Sequence, residues 1–362
     1  MSYLGQNIKR RIVPIEKSAE DDALAALLKK LEPDLAAKIL AAFEAQQGAI
    51  SLAAIVAALE RGDISAVLAM LEIPQAVSAM RGVAAATHDA VWAAAMAQAA
   101  GINRLFRGVS FTFNRLSPTL VPALQQYEMK LIREIDTGTR EGIREFLIGG
   151  MEAGRNPRDT ARDVRSIIGL TARQAKAVKN FRKELESFHL RTSAKGYNLG
   201  GKIDRAPGGA QVFRPDEDGA PKDGILDRRL RDFRFDGQMR RSMESGKPLS
   251  KAQIDRMVDA YARKYLKYRS ENIARTESMR SLNFGVQESW RQAIQTGVVK
   301  ESAVRRKWSL SPDERLCADC APIPEMNKAG VTFGMPFATP IGPLMLPPVH
   351  PSCRCRVLIR TV

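Results

Sequence analysis

Histidine, aromatic side chains and cysteine are all scarce in this chain, and each shortage excludes something. It has 3 histidines in 362 residues, and aromatics make up 6%. A single-strand binder that stacks bases needs more rings than this. The four cysteines, Cys317, Cys320, Cys353 and Cys355, all fall in the last 46 residues. A disulfide scaffold would spread them along the chain and would require an oxidising compartment. Also missing is any run of the ~18 uncharged apolar residues that cross a bilayer. The best window, Val83 to Ile102, holds His88 and Asp89, so no membrane span is expected. Met1 to Pro14 is polar, with Lys9, Arg10 and Arg11 and no apolar run behind it. The chain is therefore expected to stay in the compartment where it is made. No GxxxxGK[ST] loop occurs, which disfavours an ATP-driven motor.

What is present is length, apolar content and positive charge. At 362 residues and 44% hydrophobic the chain can bury a sizeable core, and two or three folded units are expected. The net charge is +16. Residues 1 to 100 carry 9 basic and 11 acidic side chains, so the remaining 47 basic and 29 acidic leave +18 on residues 101 to 362. That asymmetry points to a polyanion partner for the later part of the chain, with nucleic acid ahead of membrane.

Pattern and composition divide the chain into five segments. Residues 1–100 read as an Ala-rich helical docking region. Leu24, Leu27, Leu28 and Leu31 repeat at helical spacing behind a Ser18 cap, Pro33 is expected to break that helix, and further helices are expected at 50–59, 64–71 and 76–100. Residues 101–195 read as a basic helical region. Here Asn156-Pro157 starts one helix and the capping box Thr171 to Gln174 starts another, with Lys176, Lys179, Arg182 and Lys183 along its polar side. Residues 196–226, with seven glycines and three prolines, read as a loop or insertion. Residues 227–300 form a long-helix region opened by the capping box Ser250 to Gln253, either one helix or two broken near Ser270. It carries Arg256, Arg263, Lys264 and Lys267 on one face, spaced for phosphate contact or simply solvated. Residues 301–362 read as a small, Pro- and Gly-rich Cys/His tail unit that needs a staple. The fold class expected is mainly α and multi-domain, with a small C-terminal α+β or β-rich, Cys-containing unit.

The tail carries the chemistry. Cys317-Ala-Asp-Cys320 has knuckle spacing, in which two thiolates one turn apart grip one ion. After 29 intervening residues, His350-Pro-Ser-Cys353-Arg-Cys355 offers three more donors. Zinc takes four N or S ligands, so Cys317 and Cys320 with two of His350, Cys353 and Cys355 make a natural structural site. Reduced core cysteines, disulfides formed after release from the cell, and a Cys/His nucleophile with Asp313 and Arg315 nearby stand as alternatives. His88 and His189 read as structural residues.

These residues also carry a resemblance. Trp308, Asp313 to Cys320, Phe333, Gly342 and Pro347-Pro-Val-His-Pro-Ser-Cys-Arg-Cys355 resemble the C-terminal signature of phage Mu F-like head morphogenesis proteins, minor capsid proteins of tailed phages. Gly169 to Gln174, Asn180 to Arg182, Arg231 to Asp236 and Ile273-Ala-Arg-Thr-Glu277 with Arg280 and Asn283 are similar too, so the likeness covers about residues 140 to 358. It implies a virion protein rather than an enzyme, in the head interior or near the portal. Its implied partners are the portal protein or major capsid protein and packaged double-stranded DNA bound without sequence preference, and it assembles in the host cytoplasm. Residues 1–100 would dock on portal or shell. A zinc-dependent nucleic-acid-binding regulator is the alternative from another class.

Overall fold

The computed structural model describes residues 19–70, 73–106, 108–152, 155–190, 204–205, 211–212, 230–310 and 317–362. The proposed cap Ser18, the residues Asp313 and Arg315, and most of 196–226 lie outside the described residues. The chain is mainly helical with one small C-terminal sheet and a cysteine cluster, as its composition implied.

The helices are α1 (Ala19–Ala49), α2 (Leu52–Glu60), α3 (Ile64–Ala69), α4 (Ile73–Leu105), α5 (Leu120–Glu152), α6 (Pro157–Ile167), α7 (Ala172–Glu186), α8 (Asp236–Ser245), α9 (Lys251–Gln295) and α10 (Ile323–Met326). Local chemistry accounts for most starts. The Ser51 hydroxyl accepts the Ala54 N–H, the Asp63 carboxylate accepts the Ala66 N–H, and Asn156 accepts from Arg158 ahead of Pro157. Both expected capping boxes form. Thr171 and Gln174 exchange side-chain and backbone bonds at 3.4 and 3.1 Å, and Ser250 and Gln253 do so at 3.3 and 2.8 Å.

One expected boundary is corrected. Pro33 does not break α1, which runs through it. The proline removes one backbone hydrogen bond, but Leu35 and Ile39 beyond it are buried at 3% and 0% exposure, and that burial holds the next turns helical. The open alternative at Ser270 resolves to one continuous 45-residue helix.

Contacts divide the chain into two compact units that alternate along the sequence. Unit 1 takes residues 1–41, 80–131 and 270–362, and unit 2 takes 42–79 and 132–269. The boundaries fall inside long helices, where composition gives no signal. The consecutive segments drawn from composition therefore do not coincide with the units.

Unit 1 has a core of Val91, Ala94 and Ile102 from α4, Leu282, Val286 and Trp290 from α9, and Trp308, Phe337 and Val357 from the tail. The tail thus shares a helical core rather than folding around its own. Its strands β3 (Val304–Ser309) and β4 (Arg356–Thr361) pair antiparallel with Trp308 opposite Val357, and the alternate residues Val304, Arg306 and Trp308 are buried. Arg306 and Val331 exchange two backbone bonds of 2.8 Å, and Phe337 and Leu344 pair likewise at 2.8 and 3.0 Å, which pins the irregular chain between the strands. Two residue pairs also form a short ladder at 204–205 and 211–212.

Gly285 lets α9 approach α4. A Cβ there would collide with the Val91 carbonyl oxygen and press on the Ala94 side chain. Backbone cannot step aside as a flexible side chain does, so Gly285→Ala should destabilise the protein by about 2–3 kcal/mol despite its better helix propensity. Urea unfolding reads this, and an unchanged midpoint would contradict the close approach.

Unit 2 buries Val164 and Ile167 of α6, Val178 and Phe181 of α7, and Tyr261 and Leu266 of α9. Asp163 sits inside it, 2.7 Å from Arg182 and 2.8 Å from Arg155. Arg182 also bonds Asp255 at 2.7 Å.

Candidate metal centre

Folding brings all five candidate donors of the tail into one place. Cys317, Cys320 and His350 form one three-donor group, and Cys320, Cys353 and Cys355 form another, each with all its donor atoms within 4.8 Å. Cys320 belongs to both. His350 Nε2 lies 2.9 Å from Cys317 Sγ and 3.4 Å from Cys320 Sγ, and Cys320 Sγ lies 3.7 Å from Cys353 Sγ. All four cysteines are free thiols, and a disulfide would need sulfurs about 2.05 Å apart.

These spacings test the donor set against an ion. With Zn–S near 2.3 Å and Zn–N near 2.05 Å, a tetrahedron places two sulfurs about 3.8 Å apart and sulfur and nitrogen about 3.6 Å apart. The observed 3.7 and 3.4 Å fit this, and the 2.9 Å contact requires only a small outward adjustment. The cluster can hold a metal ion.

The local electrostatics favour ligation. A hydrogen bond from the Cys355 thiol, working against burial, lowers Cys353 to about 5. The same bond, with burial, pushes the Cys355 thiol strongly upward. Burial likewise pushes Cys320 up. For Cys317 burial acts upward, but hydrogen bonds from Cys320 and His350 outweigh it and the net movement is down. A cation at the centre replaces such shared protons. His350 Nδ1 lies 2.9 Å from the Pro351 carbonyl. An N–H donated there leaves Nε2 as a lone pair directed at the thiols, the tautomer that a metal needs.

Helix α9 positions the loop. The Ser352 N–H donates to Thr276 Oγ1 at 2.8 Å, and its hydroxyl donates to Asn272 Oδ1 at 2.8 Å. Ser352 holds a left-handed φ of 60°, which these bonds stabilise. Two turns beyond Thr276, Asn283 accepts the Val357 N–H at 2.8 Å and donates to the carbonyls of Cys355 at 3.3 Å and Pro347 at 3.4 Å. Sequence reasoning gave Asn272, Thr276, Asn283 and Ser352 no individual role. The available signal was a row of small polar residues, 272, 276 and 283, at helical spacing along α9. Between them Glu277 is buried beside Arg280, 3.1 Å away, and burial pushes its carboxyl up to about 7.

The basic residues fare unevenly. Lys176, Lys183, Arg256, Arg263 and Lys267 are exposed, and Lys179 is half-buried. Two assignments to phosphate contact are corrected. Arg182 points into unit 2 and spends its charge on Asp163 and Asp255. Lys264 donates to the Arg231 carbonyl at 3.0 Å and lies 5.5 Å from the Phe233 ring. Both lie on faces that packing turned inward.

Compared with models of protein families, with curated proteins and with solved structures, the chain matches none.

Proposed function

We propose that this chain is a minor head protein of a tailed phage. In this reading it is a structural virion component, not an enzyme, whose tail is closed by a structural zinc ion and whose basic helices lie against packaged double-stranded DNA. One observation carries the reading. Two stretches of the resemblance, Ile273 to Asn283 and Pro347 to Cys355, hold each other through three hydrogen bonds and so act as one object. Zinc is favoured over other ions by the soft S and N donors at tetrahedral spacing. Cys317 and Cys320 with two of His350, Cys353 and Cys355 form the ligand set, Cys320 being common to both three-donor groups. The implied binding partner within the particle is the portal protein or the major capsid protein.

Two measurements test this. Mass spectrometry of purified particles should find the chain in few copies, and its presence in infected cells but not in particles would end the proposal. DNA binding should be weak and indifferent to sequence. If the five exposed basic residues all reach phosphate, log K should fall against log salt with a slope of about −4 to −5. Sequence-selective binding would instead favour a zinc-dependent regulator.

A further inference from the structure

Unit 1 contains a cavity of about 230 Å³ bounded by α4, α5, α9 and the strap that leads into the metal loop. Its walls are mostly apolar: Val91, Leu124, Phe284, Leu346 and Pro348 all face it. One corner is not. Ser281, 1% exposed, lines the cavity with its Oγ unpartnered among the described residues, and so does the buried hydroxyl of Tyr127. Buried hydroxyls without partners cost free energy, and a ligand that bonds them recovers it. Arg280 also lines the cavity, its guanidinium 5.7 Å from the Tyr127 ring. Arg280 donates to Glu277 through Nη1, which leaves the other two nitrogens of the fork without an acceptor among the described residues.

We propose that this cavity binds a small aryl or medium-chain carboxylate, with the hydrocarbon part between α4, α5 and α9 and the carboxylate at Ser281, Tyr127 and Arg280. Three points fix the class. A cavity of ~150 Å³ lined by apolar side chains holds benzene, so this one has room for a ring and a short arm. Two hydroxyls and a cation supply donors that a carboxylate can use together. An ammonium head would meet Arg280 and be repelled, and a purely apolar ligand would leave the hydroxyls unpaired. The site is independent of the metal and of the head-protein reading.

Calorimetric titration of the full chain with 3-phenylpropionate, 3-phenylpropanol and 3-phenylpropylamine tests it. The acid should bind saturably, at least ten-fold tighter than the alcohol, and the amine more weakly than either. Arg280→Gln should remove the preference for acid over alcohol. Ala123→Phe, at the half-buried rim, should abolish binding of all three. No saturable binding of the acid, equal affinities for the three probes, or undiminished acid binding in an Ala123→Phe protein that melts like the parent would each overturn the proposal. Should Ala123→Phe lower the melting temperature, the Arg280→Gln arm decides, and a preference for acid over alcohol that survives in that variant overturns the proposal.

Discussion

Cys320→Ser is expected to release the metal and loosen the whole segment from 317 to 355. Cys320 is the donor common to both three-donor groups and is 2% exposed, so no water-accessible substitute can take its place. Structural zinc in small peptides supplies ~10–16 kcal/mol of apparent folding free energy at neutral pH. Here part of the tail is also held by the core it shares with α9, so the effect should be local and large. Metal analysis of reduced parent protein should give one zinc per chain, and the variant much less. Hydrogen exchange at residues 317–355 should rise by orders of magnitude in the variant, and also in the parent treated with excess chelator. Amides of α6 and α7, in the other unit, should exchange as before. A variant that keeps a full equivalent of zinc, or a parent purified without any, would sink the assignment.

Arg306→Met should be nearly as damaging, for a reason unrelated to metal. Arg306 is fully buried, with no carboxylate in hydrogen-bonding contact among the described residues. Its guanidinium donates to the Met345 carbonyl at 2.8 Å, to the Met335 carbonyl, and to the Thr332 carbonyl at 3.5 Å. The Phe337 ring lies 5.0 Å away and the Phe333 ring 5.8 Å. Burial pulls it down to about 10, so it stays charged at neutral pH, and carbonyl dipoles and ring faces take the role of a counterion. Methionine replaces only its aliphatic stem and leaves the carbonyls without a donor, at ~1–3 kcal/mol for each that stays buried. A loss of about 3–5 kcal/mol is expected, read by denaturant unfolding followed through Trp308 on the same strand. Arg306→Lys should recover part of it, since an ammonium keeps the charge but reaches fewer acceptors. A loss below about 1 kcal/mol would mean that the carbonyls find water, and the hub would lose its role.

What could be read from the sequence was whatever depends on neighbours along the chain. The capping boxes at Thr171 and Ser250, the Asn156-Pro157 start and the donor set at Cys317, Cys320, His350, Cys353 and Cys355 all rest on spacings of a few residues. Pro33 shows where that logic fails, because burial of Leu35 and Ile39 depends on partners distant in sequence. The reading of Arg182 fails for the same cause, and the burial of Arg306 was hidden by it too. A cation in a polar-looking stretch reads as solvated until packing places Asp163 or three carbonyls around it. The order within the site was equally hidden. Five donors were visible, but that Cys320 is shared, and that Asn272, Thr276 and Asn283 hold the loop, follows only once α9 passes beside residues 347–357.

The alternation of the two units along the sequence sets a timetable on the ribosome. Unit 2 is complete once residue 269 has emerged, while unit 1 still lacks 270–362. The apolar faces of Leu24, Val91 and Ile102 therefore wait for Trp290, Trp308 and Val357. At 5–20 residues per second that interval is roughly 10–40 s between Ile102 and Trp290. For that time the nascent chain exposes a greasy surface that it cannot cover, and chaperones are the natural guardians of it. The Cys/His loop can close only after the helix that cradles it has been in place for seconds, so an ion bound there would seal a core already assembled.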